Sequence, residues 1–191
     1  MKNINWQTGA ELFVDAIASD NATPGGGAAA AVAGATGAGL AMMAIAITLK
    51  MKATPAEDKK DLNKYLDDLM LLRDELKAAA QADAKAYGAV VSARKLPKDT
   101  KERREALKES LMLSVQAPVN TAKKALAALE KAQEIEGKIS KLLISDLACS
   151  KIFLRASIAC GIENIKANIP YIEDNLKPKL EETINFLSKF C

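Results

Sequence analysis

Histidine is absent from all 191 residues. That absence removes Ser-His-Asp and Cys-His catalysis, zinc deaminase centres and any imidazole-ligated metal. Proton transfer is left to carboxylates, lysines, hydroxyls, thiols or water, and no metal is expected. Aromatic residues are scarce at 4%, and the alternating polar and apolar runs that build sheets are missing. Neither sign of charge dominates: 27 basic and 24 acidic side chains leave +3, too mild a balance to point to nucleic acid. Three cysteines, Cys149, Cys160 and Cys191, make no disulfide framework, and the opening Met1-Lys2-Asn3-Ile4-Asn5-Trp6 lacks the layout of a signal peptide. A reduced, cytoplasmic protein is expected. Cys149 and Cys160 fall on one expected helix about 16 Å apart, too far to bridge, and read as small core residues.

What is present is helical signal throughout. The chain is uncharged between Asp20 and Lys50, longer than the roughly 20 residues a membrane helix needs. Residues 25 to 41, however, are Ala or Gly at 14 of 17 positions, and such residues supply little transfer energy into lipid. The segment is expected to be a soluble helix that lets its neighbours approach closely, not a membrane span. Thr8-Gly9-Ala10-Glu11 has the form of a capping box before Leu12, Phe13, Ala16 and Ile17 on one face. Helices are then expected over about 27–52, from Thr54-Pro55-Ala56-Glu57 to Leu96, and from Asp99-Thr100 onward with a kink or break at Pro118. The next runs from Ser140 to Ile169, and a last one carries Leu176, Leu180, Ile184 and Leu187. The expected fold is all-α, an up-and-down bundle of long antiparallel helices in one domain over 1–191.

Two acids stand out from the apolar stripes. Counting in sevens from Leu62 gives Leu69, Leu76, Asp83 and Val90. On the fifth helix, Lys151, Arg155 and Lys166 mark a wet pole, which turns Asp146 inward with Ser150, Phe153, Ser157, Cys160, Gly161, Asn164 and Asn168. One buried carboxylate is ordinarily a satisfied structural group. Two on long helices suggest a shared acid/base site, and both are expected to border one cavity. Pro24-Gly25-Gly26-Gly27 precedes the Ala/Gly helix; it is either a flexible joint or a place where backbone and a helix N-terminus meet an anionic or polar ligand. No Gly-Lys-Ser/Thr follows it and no strand precedes it, so nucleotide-loop readings are excluded.

Several segments carry a family resemblance: Phe13-Val14-Asp15-Ala16-Ile17-Ala18, Thr23-Pro24-Gly25-Gly26-Gly27, Asp83-Ala84-Lys85-Ala86-Tyr87, Leu96-Pro97-Lys98, Pro118, Ser145-Asp146-Leu147 and Asn164-Ile165-Lys166-Ala167-Asn168. In this order they resemble the cyclodeaminase/cyclohydrolase family, the helical C-terminal domain of formiminotransferase-cyclodeaminase and its free-standing relatives. The resemblance implies a dimeric folate enzyme with no tightly bound cofactor. Its substrate would be a tetrahydrofolate derivative, either formiminotetrahydrofolate closed to 5,10-methenyltetrahydrofolate with loss of ammonia or, alternatively, methenyltetrahydrofolate hydrolysed. Asp83 and Asp146 are the expected proton-transfer groups, with Pro24, Gly25, Gly26, Gly27, Asn164 and Asn168 holding the ligand. The chain departs from the family pattern at Ala28 (usually Ser), at Ala46-Ile47-Thr48 (usually Asn-Leu-Thr) and at Gly137-Lys138 (usually a Gly-Asn pair). Those departures keep a third reading open, a non-catalytic helical scaffold of the same fold.

Partners follow from the same features. The Ala/Gly helix is expected to be buried on nearly all sides, partly by a second subunit, and neither nucleic acid nor a membrane is an expected partner. Residues 1–48 hold one basic and three acidic side chains, which leaves the positive charge to the rest of the chain. Lys50, Lys52 or Lys98 is therefore the expected basic rim for a folate's glutamate tail, and added glutamates should tighten binding in low salt.

Overall fold

The computed structural model describes residues 9–191. Six α-helices follow in order: α1 (Ala10–Ala18), α2 (Gly26–Lys50), α3 (Ala56–Lys95), α4 (Lys101–Glu134), α5 (Ile144–Asn168) and α6 (Lys177–Leu187). Short 3-10 turns lie at Lys141–Leu143, Ile169–Tyr171, Asp174–Leu176 and Ser188–Phe190, and no strand occurs among the described residues. Helices α2 to α5 form the expected up-and-down bundle, each packed on the next, with α5 returning against α2. α6 covers α5 and α4.

The packing of α2 is written in sevens on both of its inner sides. Toward α3, Gly27 lies against Asp83 and Gly34 against Leu76. The same step then sets Ala41 opposite Leu69 and Thr48 opposite Leu62, all four buried. Toward α5, the Ser157 Oγ donates to the Ala30 carbonyl at 2.7 Å and the Ser150 Oγ to the Gly37 carbonyl at 2.7 Å. Small residues on α2 thus let large ones on α3 reach the axis, and buried serines on α5 spend their hydroxyls on α2 carbonyls. The polar row on α5 is therefore in part helix-to-helix glue.

Thr100 caps α4 as its position predicts, accepting from the Arg103 N–H at 3.2 Å. Thr54 does not cap α3, because its hydroxyl donates to the Thr48 carbonyl at the end of α2 (2.7 Å). Ser140 caps the 3-10 turn that leads into α5. Thr8, the proposed capping residue of α1, lies outside the described residues.

Two expectations are corrected: Pro118 does not divide its helix, and the cysteines are not core residues. α4 continues through Pro118 as a single helix. Proline has no N–H to give the Ser114 carbonyl; the Asn168 Nδ2 of α5 donates to that carbonyl instead, at 3.2 Å. The cysteines are exposed, not core, because the inner sides of α5 are occupied by Leu147, Leu154, Ile158 and Ile165. α1 fully buries none of its residues, with Leu12 66% exposed and Phe13 and Ala16 half-buried, so its apolar face is only partly covered within the described chain. α2 is the one described helix long and apolar enough to cross a membrane. Its inner sides are buried against α3 and α5, while Thr36, Met43 and Ile47 look outward, so the chain alone does not bury α2 all round.

The close approach of α2 makes a direct prediction. A Cβ at Gly37 would stand 2.7 Å from the Leu154 Cγ and 2.9 Å from the Ser150 carbonyl oxygen, whereas one at Gly88 on α3 meets nothing within 4 Å. Urea unfolding should show Gly37→Ala destabilised by about 1–3 kcal/mol through overpacking. Gly88→Ala should be stabilised by roughly 0.5–1 kcal/mol through helix propensity.

Candidate active site

The α3–α4 hairpin runs past the start of α2, and a cavity of about 300 Å³ opens at the step. Its floor is the glycine loop and the first turn of α2, its walls are α3, α4 and the end of α5, and Tyr171 stands at its mouth. Thr23–Pro24 is a cis peptide, and Pro24 itself does not line the cavity, whereas Gly25, Gly26 and Gly27 do.

Asp83 occupies the place on α3 where the seven-residue pattern would set another leucine. Gly27 opposite makes that possible, since a Cβ there would fall inside the carboxylate. Burial pushes the Asp83 carboxyl above its ordinary value of 3.8, and the Ala28 backbone N–H, donating to it, holds it partly back. Ala28 belongs to the first turn of α2, whose amides have no partner within their own helix. The carboxylate therefore caps α2 from another helix, and the positive end of the helix dipole faces it. The Gly26 and Gly27 amides donate to none of the described residues, which leaves them for a ligand oxygen.

The asparagines are held in set orientations. Asn164 Nδ2 donates to the Cys160 carbonyl at 2.8 Å, which leaves its Oδ1 available. Asn168 Nδ2 donates to the Ser114 and Asn164 carbonyls at 3.2 and 2.8 Å, and its Oδ1 accepts from the Ser114 Oγ at 3.4 Å. Pro118 on α4 thus fixes a cavity side chain on α5 by leaving one carbonyl unpaired.

Asp146 is not part of this arrangement. It sits in the first turn of α5, whereas Asn164 and Asn168 end that helix, about 27 Å farther along at 1.5 Å per residue. The expectation of one cavity bordered by both acids is wrong in geometry, and the place of Asp146 suits a charge complementing the helix dipole. Lys50 and Lys52 likewise lie at the far end of α2 from the glycine loop and supply no rim. Missed by the sequence reading were Arg94, Ser114, Leu111 and Tyr171, which also line the cavity. The signal for Arg94 was its spacing of four beyond Val90 on the Asp83 stripe.

The profile of the formiminotransferase-cyclodeaminase family matches residues 9–185. The chain belongs to this family. It is 30% identical over 168 residues to a methenyltetrahydrofolate cyclohydrolase of Methylorubrum extorquens, covering 86% of this chain and 80% of that one. Its fold matches formiminotetrahydrofolate cyclodeaminase of Thermotoga maritima with a TM-score of 0.84 at 22% identity, over 95% of this chain and 88% of the other.

The departures from the cyclodeaminase pattern now have locations. Ala28 presents its backbone N–H to Asp83, a contact that does not need the missing hydroxyl. Ala46 is about 30 Å along α2 from the glycine loop, and Gly137 follows the end of α4 at the same far end. Thr48, retained, accepts from the Ser140 N–H at 3.1 Å. Neither Ala46 nor Gly137 removes a group from the cavity, contrary to expectation.

The raised carboxyl of Asp83 carries a sign. The folded protein favours its protonated form, so its stabilising contribution is complete below the unfolded value and lost as pH rises through the folded one. At pH 7 the buried charge is a cost. Asp83→Asn keeps an oxygen for the Ala28 N–H and should raise the urea midpoint at pH 7, with the gap closing as pH falls toward 3.8. A lower midpoint at pH 7 would contradict this account.

Proposed function

We propose that the protein is a folate one-carbon enzyme that hydrolyses 5,10-methenyltetrahydrofolate to 10-formyltetrahydrofolate, with Asp83 as its proton-transfer group. The observation carrying this reading is one half-buried carboxylate facing a helix N-terminus in a cavity, in a chain 30% identical to a named cyclohydrolase. The methenyl carbon is bound to two nitrogens and is cationic, so an anionic Asp83 favours its approach. Water adds to that carbon and Asp83 takes one of its protons. The open Gly26 and Gly27 amides are placed to donate to the new oxygen. The bond from carbon to N5 then breaks, the proton passes from Asp83 to N5, and the hydroxyl proton leaves to solvent as the formyl carbonyl forms on N10. Cyclodeamination of formiminotetrahydrofolate is the second reading, favoured by the family's description. It passes through the same tetrahedral carbon with ammonia as leaving group. A scaffold without turnover is disfavoured by the retention of Asp83 and its amide partner.

Around this centre we propose a cytoplasmic enzyme with no tightly bound cofactor and a tetrahydrofolate derivative as substrate. The proposed assembly is a homodimer in which a second copy covers the outward apolar residues of α1 and α2.

The methenyl chromophore reports both reactions, decaying in the hydrolysis and growing in the cyclodeamination when each substrate is offered separately. Asp83→Asn should lower kcat by at least about a hundredfold, and Asp146→Asn should stay within about threefold of the unaltered protein. Full activity in Asp83→Asn would remove the mechanism. Sedimentation at micromolar concentration should give about twice the 20.4 kDa chain mass; a monomer would refute the assembly.

A further inference from the structure

We infer that Arg94 anchors the glutamate carboxylates of the folate, so that one face of α3 reads the substrate from end to end. This rests on the folate reading above. α2 begins opposite Asp83, yet α3 continues for twelve more residues to Lys95, and this continuation, with Ala86 and Val90 buried and Tyr87 and Arg94 exposed, forms one side of the cavity. Asp83, Ala86, Tyr87, Val90 and Arg94 all line it, and their spacings of three, four, seven and eleven keep them on one helical face. The order along that face is an acid, a small residue, a flat ring, an aliphatic group and a cation. A folate has the matching order: a one-carbon centre that is cationic as the methenyl form, a flat benzoyl ring and a dicarboxylate.

The lengths agree as well. Eleven residues of helix separate Asp83 from Arg94 by about 16 Å, and an extended tetrahydrofolate carries its carboxylates roughly 10–12 Å from the reacting nitrogens. The long arginine side chain closes the difference. Among the described residues lining the cavity, Asp83 is the one acid and Arg94 the one cation. Burial and the Ala28 amide are the influences that move Asp83, with no contribution from Arg94, so the two charges stand apart and neither neutralises the other. Arg94 forms no ion pair with any described residue, whereas the neighbouring Lys108 is held by Glu173 at 2.8 Å. A guanidinium can grip a carboxylate through two parallel bonds. Residues 94 to 108 carry seven basic against three acidic side chains, which makes this end of the hairpin attractive to an anionic tail. Of the rim expected at Lys50, Lys52 or Lys98, only the Lys98 end of the molecule is near the cavity, and Arg94 is the cation there that lines it.

The test compares 5,10-methenyltetrahydrofolate with 5,10-methenyltetrahydropteroate, which lacks the glutamate. Arg94→Ala should raise KM about tenfold for the first and leave KM for the second and kcat for both within about twofold, with Arg94→Lys intermediate. The advantage of the glutamate-bearing substrate in the unaltered protein should shrink as salt rises. An equal rise in KM for both substrates would make Arg94 a structural residue and overturn the inference. So would an unchanged KM for both. An unaltered protein that neither turns over nor binds either compound would overturn the folate reading itself, a result distinct from an active enzyme indifferent to residue 94.

Discussion

The absence of side chains along two edges of α2 is the constraint on which the rest of the molecule depends. At Gly27, Gly34 and Gly37 a single added carbon would collide with a neighbouring helix, so side chains of α3 press against the backbone of α2 and α5 brings its own backbone close at Gly37. Three of the four pairs in the α2–α3 register set an apolar large side chain against a small partner. In the fourth the large side chain is Asp83. The cavity carboxylate is therefore a position of the packing stripe with its leucine replaced, and its perturbed proton affinity follows from being built into a packing lattice.

A second dependence links the far wall to the chain's prolines. Pro118 sits inside α4 without ending it because the carbonyl it leaves unpaired is taken by Asn168. A buried carbonyl without a partner costs about as much as a lost hydrogen bond, so the asparagine serves the fold while facing the cavity.

The fold was largely legible because long apolar stripes, the Thr100 cap and short connections all point to one bundle. Asp83 was legible for the same reason: a period of seven interrupted by an acid needs no knowledge of neighbours. Asp146 misled because periodicity assigns a side of a helix and says nothing about which end of it matters. The serines on α5 misled in another way, since a polar row reads as a ligand surface until the carbonyls of α2 are known to be opposite. Arg94 was marked only by its spacing beyond Val90, a weak signal for an exposed residue near a helix end; the mismatch in length between α2 and α3 gives it meaning. The cysteines were misplaced because α5 borders two helices, which leaves them on its open side.

The step between α2 and α3 also divides the site into two regimes of evolutionary freedom. At one end, Asp83 is hemmed by the backbone at Gly27, and any growth of either residue would force whole helices to move. Along the further turns of α3 the lining residues Tyr87 and Arg94 are exposed, and exchanging them disturbs little of the core. Relatives can therefore diverge in what they recognise at the distal end while inheriting unchanged chemistry at the proximal one, because innovation there carries almost no penalty in folding.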